Sequence, residues 1–374
     1  MIKVAIITRS SLYSVKGGDT IQVVETARAL NTIGIVVRIC LADSLIDYAQ
    51  YDLLHFFNIT RPADMIFHIE KSGKPFLISP VFVEYAGFDK HSRKGISGFF
   101  AKYVAADQFE YLKTIARCLN GTDRLISKKY IWMGQSKSIR KILRSASLLL
   151  PNSVSEYQRL QRAYGLSPAY SVVVNGVDTD LFTPLGSVER DPCLVLSVGR
   201  IEGIKNQLNL IRALNNTSFR LLVIGKPAPN QLSYYQECRK LAASNIEFID
   251  HLPQQELLHF YAKATVHALP SFFETTGLSS LEAAAMGCHI VVSKRGDVYD
   301  YFGEDAFYCD PDLPESIFQA VSSAAAKNNN PALQKKVIKK YNWEQAAIAT
   351  AAAYRKVYAA QSIEDRDTGN KGHP

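Results

Sequence analysis

Short apolar runs alternate with amphipathic stretches along most of this chain. Residues 2–7 (IKVAII) are followed by a helical pattern at 20–33 and a second apolar run at 35–41. Strand, helix, strand is how a parallel sheet with helices on its faces begins. Further apolar runs stand at 51–57, 75–79 and 145–151. After 185–192, a polar linker containing Gly186 and Pro192, the rhythm restarts. Runs at 193–198, 219–224, 246–249, 266–269 and 289–293 predict five more strands. The pattern therefore predicts an α/β chain with two doubly wound units, 1–184 and 185–340. Asn342-Trp343-Glu344 opens an Ala-rich helix over 341–360. Residues 361–374 are polar and charged and predict a disordered tail.

Length agrees with two domains, because 374 residues exceed what one ordinary core serves. The six cysteines form no C-x-x-C pair and no metal-ligand spacing, which points to reduced thiols and a cytoplasmic protein. The apolar run at residues 4–7 is too brief for a signal peptide, and no segment approaches the ~18 apolar residues of a membrane span. Charge changes the picture more. Between Lys90 and Arg144 stand thirteen Lys or Arg against three acids, a net +10 in a chain whose total is +8. Aromatic residues interleave with these cations, so residues 90–144 suggest an anionic partner. An anionic membrane surface is one reading, a solvated basic helix face another. No RNA-binding or helix-turn-helix motif accompanies them, and nucleic acid is not expected.

The densest candidate chemistry lies in residues 270–287, PSFFETTGLSSLEAAAMG. An apolar run precedes it, Ser, Thr, Phe and Gly make a loop, and residues 278–286 have helix composition. Thr275 or Thr276 is a plausible N-cap, and Gly287 sits where a left-handed C-cap residue belongs. Gly277 and Leu278 open the helix, whose unpaired N–H groups and dipole favour a phosphate. Glu274 and Glu282 suit the hydroxyl-bearing parts of a ligand, since carboxylates repel phosphate and accept from O–H groups. Upstream, Gly199-Arg200-Ile201-Glu202-Gly203-Ile204-Lys205 follows a predicted strand. There two cations five positions apart can converge on one diphosphate. In the first half, Gly17-Gly18 lets the backbone approach a ligand. His55 and Asn58 end a strand, and Glu84 follows another.

Glu274-x7-Glu282, the Gly-Arg-x4-Lys element and Asn175-Gly176-Val177-Asp178 with Phe182 together resemble the retaining family 4 glycosyltransferases. The resemblance runs from Gly17 to about Tyr341. It implies the GT-B fold, two Rossmann-like domains facing across a cleft, with the last helix returning to the N-terminal acceptor-side domain. It implies transfer of a sugar from a nucleoside-diphosphate sugar to a hydroxyl on a glycan or lipid-linked acceptor, a hexosyltransferase activity suited to cell-surface polysaccharide or glycolipid synthesis. Arg200, Lys205 and Glu274 take the catalytic positions. Gly17, Gly18, Gly277 and Leu278 join them around the donor, and Glu282 faces the ribose. His55, Asn58 and Glu84 are acceptor-side candidates. No cofactor is expected. Asp178-Thr179-Asp180 spells D-x-D but lies inside the Asn-Gly-Val-Asp linker, so no metal is expected either. Many relatives work on the inner face of a membrane, which favours the membrane reading of the basic stretch. Two departures stand out. Ser79-Pro80 occupies the place of a usual His-Asp or His-Glu pair, and Thr275-Thr276 replaces Gly-Phe. A nucleotide-sugar epimerase of the same fold, or a non-catalytic sugar-nucleotide-binding protein, are the alternatives.

Overall fold

A computed structural model describes residues 1–83, 108, 111–112, 114–115, 127–186, 188–328 and 331–369. The chain divides into two compact units. The first holds Met1–Phe82, the described residues from 108 to 174, and the chain from Trp343 on; the second holds Val83 and Asn175–Asn342.

In the first unit five parallel strands run in the order β2-β1-β3-β4-β5. They are β1 (Lys3–Thr8), β2 (Val36–Leu41), β3 (Leu53–Phe57), β4 (Phe76–Ser79) and β5 (Leu148–Leu149). All five residues of β3 are buried. That is why its sequence reads as a continuous apolar run and not as an alternation: helices cover both faces of a parallel sheet. The covering helices include Gly18–Thr32, Pro62–Ser72, Lys128–Ser145 and Val154–Tyr164. The last helix, Trp343–Gly369, packs on Gly18–Thr32.

The second unit has six parallel strands in the order β11-β10-β9-β6-β7-β8. These are β6 (Asp191–Val198), β7 (Arg220–Ile224), β8 (Ile246–Ile249), β9 (Ala264–Leu269), β10 (His289–Ser293) and β11 (Phe307–Cys309). The chain winds outward from β6 through β7 to β8, then crosses to β9 on the other side of β6. The carboxyl ends of β6 and β9 therefore flank the point where the winding reverses, which in such sheets is where ligands bind.

Two boundaries differ from the sequence pattern. The division falls at Val174/Asn175, ten residues before the polar linker. Residues 175–182 lack regular strands, but Asn175 is held by Tyr301 and Val177 by Tyr341, both in the second unit. Residues 361–369 continue the last helix and are not a tail, while 370–374 lie outside the described residues. Of the basic stretch, the continuous described part begins at Ser127 and is mostly the helix Lys128–Ser145, broken at Gly134 (φ 69°, ψ 176°). No helix among the described residues is long and apolar enough to cross a membrane.

Candidate functional site

Two glycine-bearing loops meet where β6 and β7 end. Gly225 has φ +150°, and a Cβ there would stand 1.9 Å from the Gly199 carbonyl oxygen. Only glycine allows the two backbones to pass this closely. Ile201 N–H then donates to Lys226 O (2.9 Å) and Ala228 N–H to Ile201 O (3.0 Å), fixing the loop that carries Arg200. The chain tightens into a single 3-10 turn, Gly203–Lys205, and leaves it through Asn206 at φ 60°. Asparagine tolerates this left-handed conformation. Its buried side chain donates to Pro270 O (3.1 Å) and Pro311 O (2.7 Å), tying the β6 loop to the loops after β9 and β11.

From the other side, the loop after β9 is clamped by Phe272 N–H on Ile204 O (2.8 Å). Glu274 N–H donates to Arg295 O, and Asp297 N–H donates to Glu274 O at 2.8 Å. Gly296, φ +105°, allows this bridge, because a Cβ there would lie 2.0 Å from Glu274 O. With the backbone so fixed, Glu274 Oε2 accepts from Lys205 Nζ and from Ser271 Oγ (3.3 Å). The Lys205 and Glu274 side chains are 20 % and 12 % exposed, screened from solvent yet reachable from it. Arg200 Nη2 lies 3.0 Å from Glu202 Oε1. The two cations thus sit on one loop, each against a carboxylate.

The helix Leu278–Ala285 is capped one residue beyond Thr276 and two beyond Thr275. Gly277, at φ 69° and ψ 68°, is the N-cap, and its carbonyl accepts from Ser280 and Leu281 N–H. Thr276 cannot cap, because its buried hydroxyl accepts from Asn175 Nδ2 (2.9 Å) and donates to Tyr301 Oη (3.3 Å). The glycine cap leaves the first N–H groups of the helix without an intrahelical partner and uncovered by a side chain. Gly287, φ +87°, follows the helix end as expected.

Glu282, one helical turn below that start, is buried. Its Oε1 accepts from Gln254 Nε2 (2.8 Å) and its Oε2 from Tyr261 Oη (2.9 Å). Burial pushes its carboxyl up to about 7, although both hydrogen bonds pull the other way. His267 on β9 is also fully buried, with Nδ1 at 3.4 Å from Ser280 Oγ. Burial, then the nearby Lys205 charge, pushes the imidazole down to about 3, so it is neutral beneath the loop.

Sequence reasoning missed several supports of this site. Asn206, Ser271, Gln254, Tyr261 and His267 carry no motif of their own. Arg190 was hidden in the polar linker. It donates to the Tyr261, Ala264 and Met286 carbonyls and so holds the end of the Leu278–Ala285 helix. The left-handed Asn206, just before a helix pattern, was the one readable signal.

The first unit places its candidates differently. Gly17 is the N-cap of the helix Gly18–Thr32, and its N–H donates to Thr20 Oγ1 (3.1 Å). The loop before it is built around Arg9, which donates to both Asp19 oxygens (2.7 and 3.0 Å) and to the Ser11 and Val15 carbonyls. His55 is no surface acid or base. It is 1 % exposed, with Nδ1 at 2.7 Å from Tyr354 Oη and Nε2 at 2.9 Å from Ser79 Oγ. Burial pushes it down to about 3. Asn58 shapes the loop: at φ 70° its Oδ1 accepts from Thr60 N–H (3.2 Å) and hydroxyl. Glu84 lies outside the described residues. Asp178 Oδ1 accepts from the Asp180 and Leu181 N–H groups, as a turn-forming aspartate does.

Comparison with known proteins finds a family match inside the second unit. Residues 185–342 match the model of the family described as glycosyl transferases group 1. A D-inositol 3-phosphate glycosyltransferase from Acidothermus cellulolyticus is 26 % identical over 58 % of this chain and 55 % of its own length. A glycogen synthase from Mycobacterium tuberculosis is 27 % identical over 57 % and 55 %. The match thus spans little more than half the length of these curated relatives. Among solved structures, a sucrose-phosphate synthase from Thermosynechococcus elongatus superposes with a TM-score of 0.74 at 17 % identity, covering 96 % of this chain and all of that one. The Anabaena protein HepE, solved with UDP and glucose, gives 0.68 at 14 %, covering 95 % and 100 %. At such identities the likeness shows the fold, which is GT-B. The likeness of this chain to the glycosyl transferases group 1 family thus lies in the stretch 185–342.

Proposed function

We propose that this chain is a retaining glycosyltransferase that moves a sugar from a nucleoside-diphosphate sugar to a hydroxyl acceptor. The observation that carries the reading is the meeting of Lys205, Glu274 and the start of the Leu278–Ala285 helix at the point where the second sheet reverses its winding. Arg200, Lys205 and the first N–H groups of that helix hold the diphosphate. They stabilise the negative charge that grows on it as the glycosidic bond breaks, which lowers the barrier more than it tightens ground-state binding. Glu274 accepts from hydroxyls of the donor sugar. Glu282 accepts from a ribose hydroxyl, a role in keeping with a buried carboxylate already oriented by Gln254 and Tyr261. HepE was solved with UDP and with UDP-glucose, which supports a nucleotide-sugar donor here. No described side chain stands out as an enzymic nucleophile in the second unit's site. A same-face displacement aided by the leaving phosphate is the mechanism in keeping with it.

A thermal-shift screen over UDP-, GDP- and ADP-sugars is expected to give one stabilising donor. Release of nucleoside diphosphate from that donor should persist in EDTA and fall away in Glu274→Ala. Turnover of Glu274→Ala at the wild-type rate would remove the reading. Formation of an epimer from donor alone would replace transfer by epimerisation.

A further inference from the structure

Both cations assigned to the diphosphate already hold a carboxylate. Lys205 Nζ donates to Glu274 Oε2, and Arg200 Nη2 lies 3.0 Å from Glu202 Oε1. The acids differ in what else they do. Glu274 is the residue assigned to the donor's sugar, whereas Glu202 has no assigned ligand. We propose that Glu274 competes with the diphosphate for Lys205, so that the site favours the sugar donor over the sugar-free nucleoside diphosphate left after transfer. This inference rests on the function proposed above.

An ammonium presents three donors, and a phosphate oxygen meets it in much the same geometry as a carboxylate oxygen. Lys205 and Glu274 are partly screened from water, so their attraction exceeds that of a surface pair, but both remain accessible to a ligand. When a sugar donor arrives, the diphosphate takes Lys205 and the sugar hydroxyls take Glu274. Each group exchanges one charged or polar partner for another. When a nucleoside diphosphate arrives without a sugar, Lys205 gains a phosphate but Glu274 is left beside it with no sugar hydroxyl to accept from, only the long contact from Ser271 Oγ (3.3 Å). That costs both the lost ion pair and the repulsion between carboxylate and phosphate. Hence the residue that holds the sugar also penalises the product. At Arg200 the exchange has no such compensation, because Glu202 weakens both ligands alike.

The test measures affinity by calorimetry, for whichever of UDP, GDP or ADP binds the wild type and for the matching sugar nucleotide. It uses wild type, Glu274→Gln, Glu202→Gln and Lys205→Ala, with circular dichroism confirming the fold of each. Glu274→Gln should bind the nucleoside diphosphate roughly three- to tenfold more tightly and lose most of its preference for the sugar nucleotide. Glu202→Gln should tighten both ligands by a similar, smaller factor, leaving the preference unchanged. Weaker or unaltered binding of the nucleoside diphosphate by Glu274→Gln would overturn the proposal. It would mean that Glu274 merely positions Lys205 or exerts no competition. If Lys205→Ala binds the nucleoside diphosphate as well as wild type, the site itself is misassigned, a failure distinct from that of the competition.

Discussion

The two sheets of this chain are built alike, yet they treat the polar groups at their strand ends in opposite ways. In the first unit, polar side chains are locked to one another. His55 is sealed between Ser79 and Tyr354, and Arg9 spends its donors on Asp19 and the surrounding carbonyls. In the second unit, the cations of the β6 loop face acids across a surface that remains partly open. The contrast teaches that a cation with many partners supports a frame, while an equally screened cation held by one carboxylate can exchange it for a ligand: Arg9 and Asp19 are 11 % and 22 % exposed, Lys205 and Glu274 20 % and 12 %. For His55 the root is desolvation: a buried polar group left without its partner is costly, so its partners are permanent.

Three variants test this contrast. The largest effect belongs to Lys205→Ala. Removing one fixed donor from a site of developing negative charge should lower turnover by about 10²- to 10³-fold with little change in stability. Wild-type turnover in that variant would erase the distinction between the units. Next comes Ser79→Ala in the first unit, which leaves His55 Nε2 buried without its partner and should cost about 1–3 kcal/mol of stability, read from urea unfolding. Nucleotide affinity should be unaffected; a drop in affinity with unchanged stability would make His55 a ligand-side residue after all.

Glu282 gives the smallest and most conditional effect. Its folded-state carboxyl is raised to about 7 from an ordinary 4.5, so between those values the folded chain binds more protons than the unfolded one. Stability from this group is therefore fully present below about 4.5 and is lost as pH rises through about 7. Glu282→Gln carries no such dependence. Its melting temperature relative to wild type should rise from pH 5 to pH 8, and a flat difference would show that Gln254 and Tyr261 compensate the burial in full.

Much of this was legible in the sequence because the relevant physics is local. Apolar runs of four to seven residues mark strands covered on both faces, and a Gly-Arg-x4-Lys loop after such a run places two cations at a strand end. Glycine before a helix was visible too, although capping was assigned to Thr275 or Thr276. Those threonines mislead because N-cap preference is a local rule, and Thr276 is taken by Asn175 and Tyr301, distant in sequence. His55 is a distant effect of the same kind: its place at a strand end made it an acceptor-side candidate, and the partner that holds it, Tyr354, comes from a helix almost three hundred residues later. The position of the boundary was set by contacts of residues 175–182, whereas the polar composition of 185–192 records only a turn into β6.

The central claim is that the β6 and β9 loops of the second unit hold a nucleoside diphosphate between Arg200, Lys205 and the start of the Leu278–Ala285 helix. Calorimetric titration of UDP, GDP and ADP into the full chain, beside Arg200→Ala, tests it most directly. The account predicts that at least one nucleotide binds and that its affinity falls at least tenfold in the variant. Equal affinity in both proteins would contradict it.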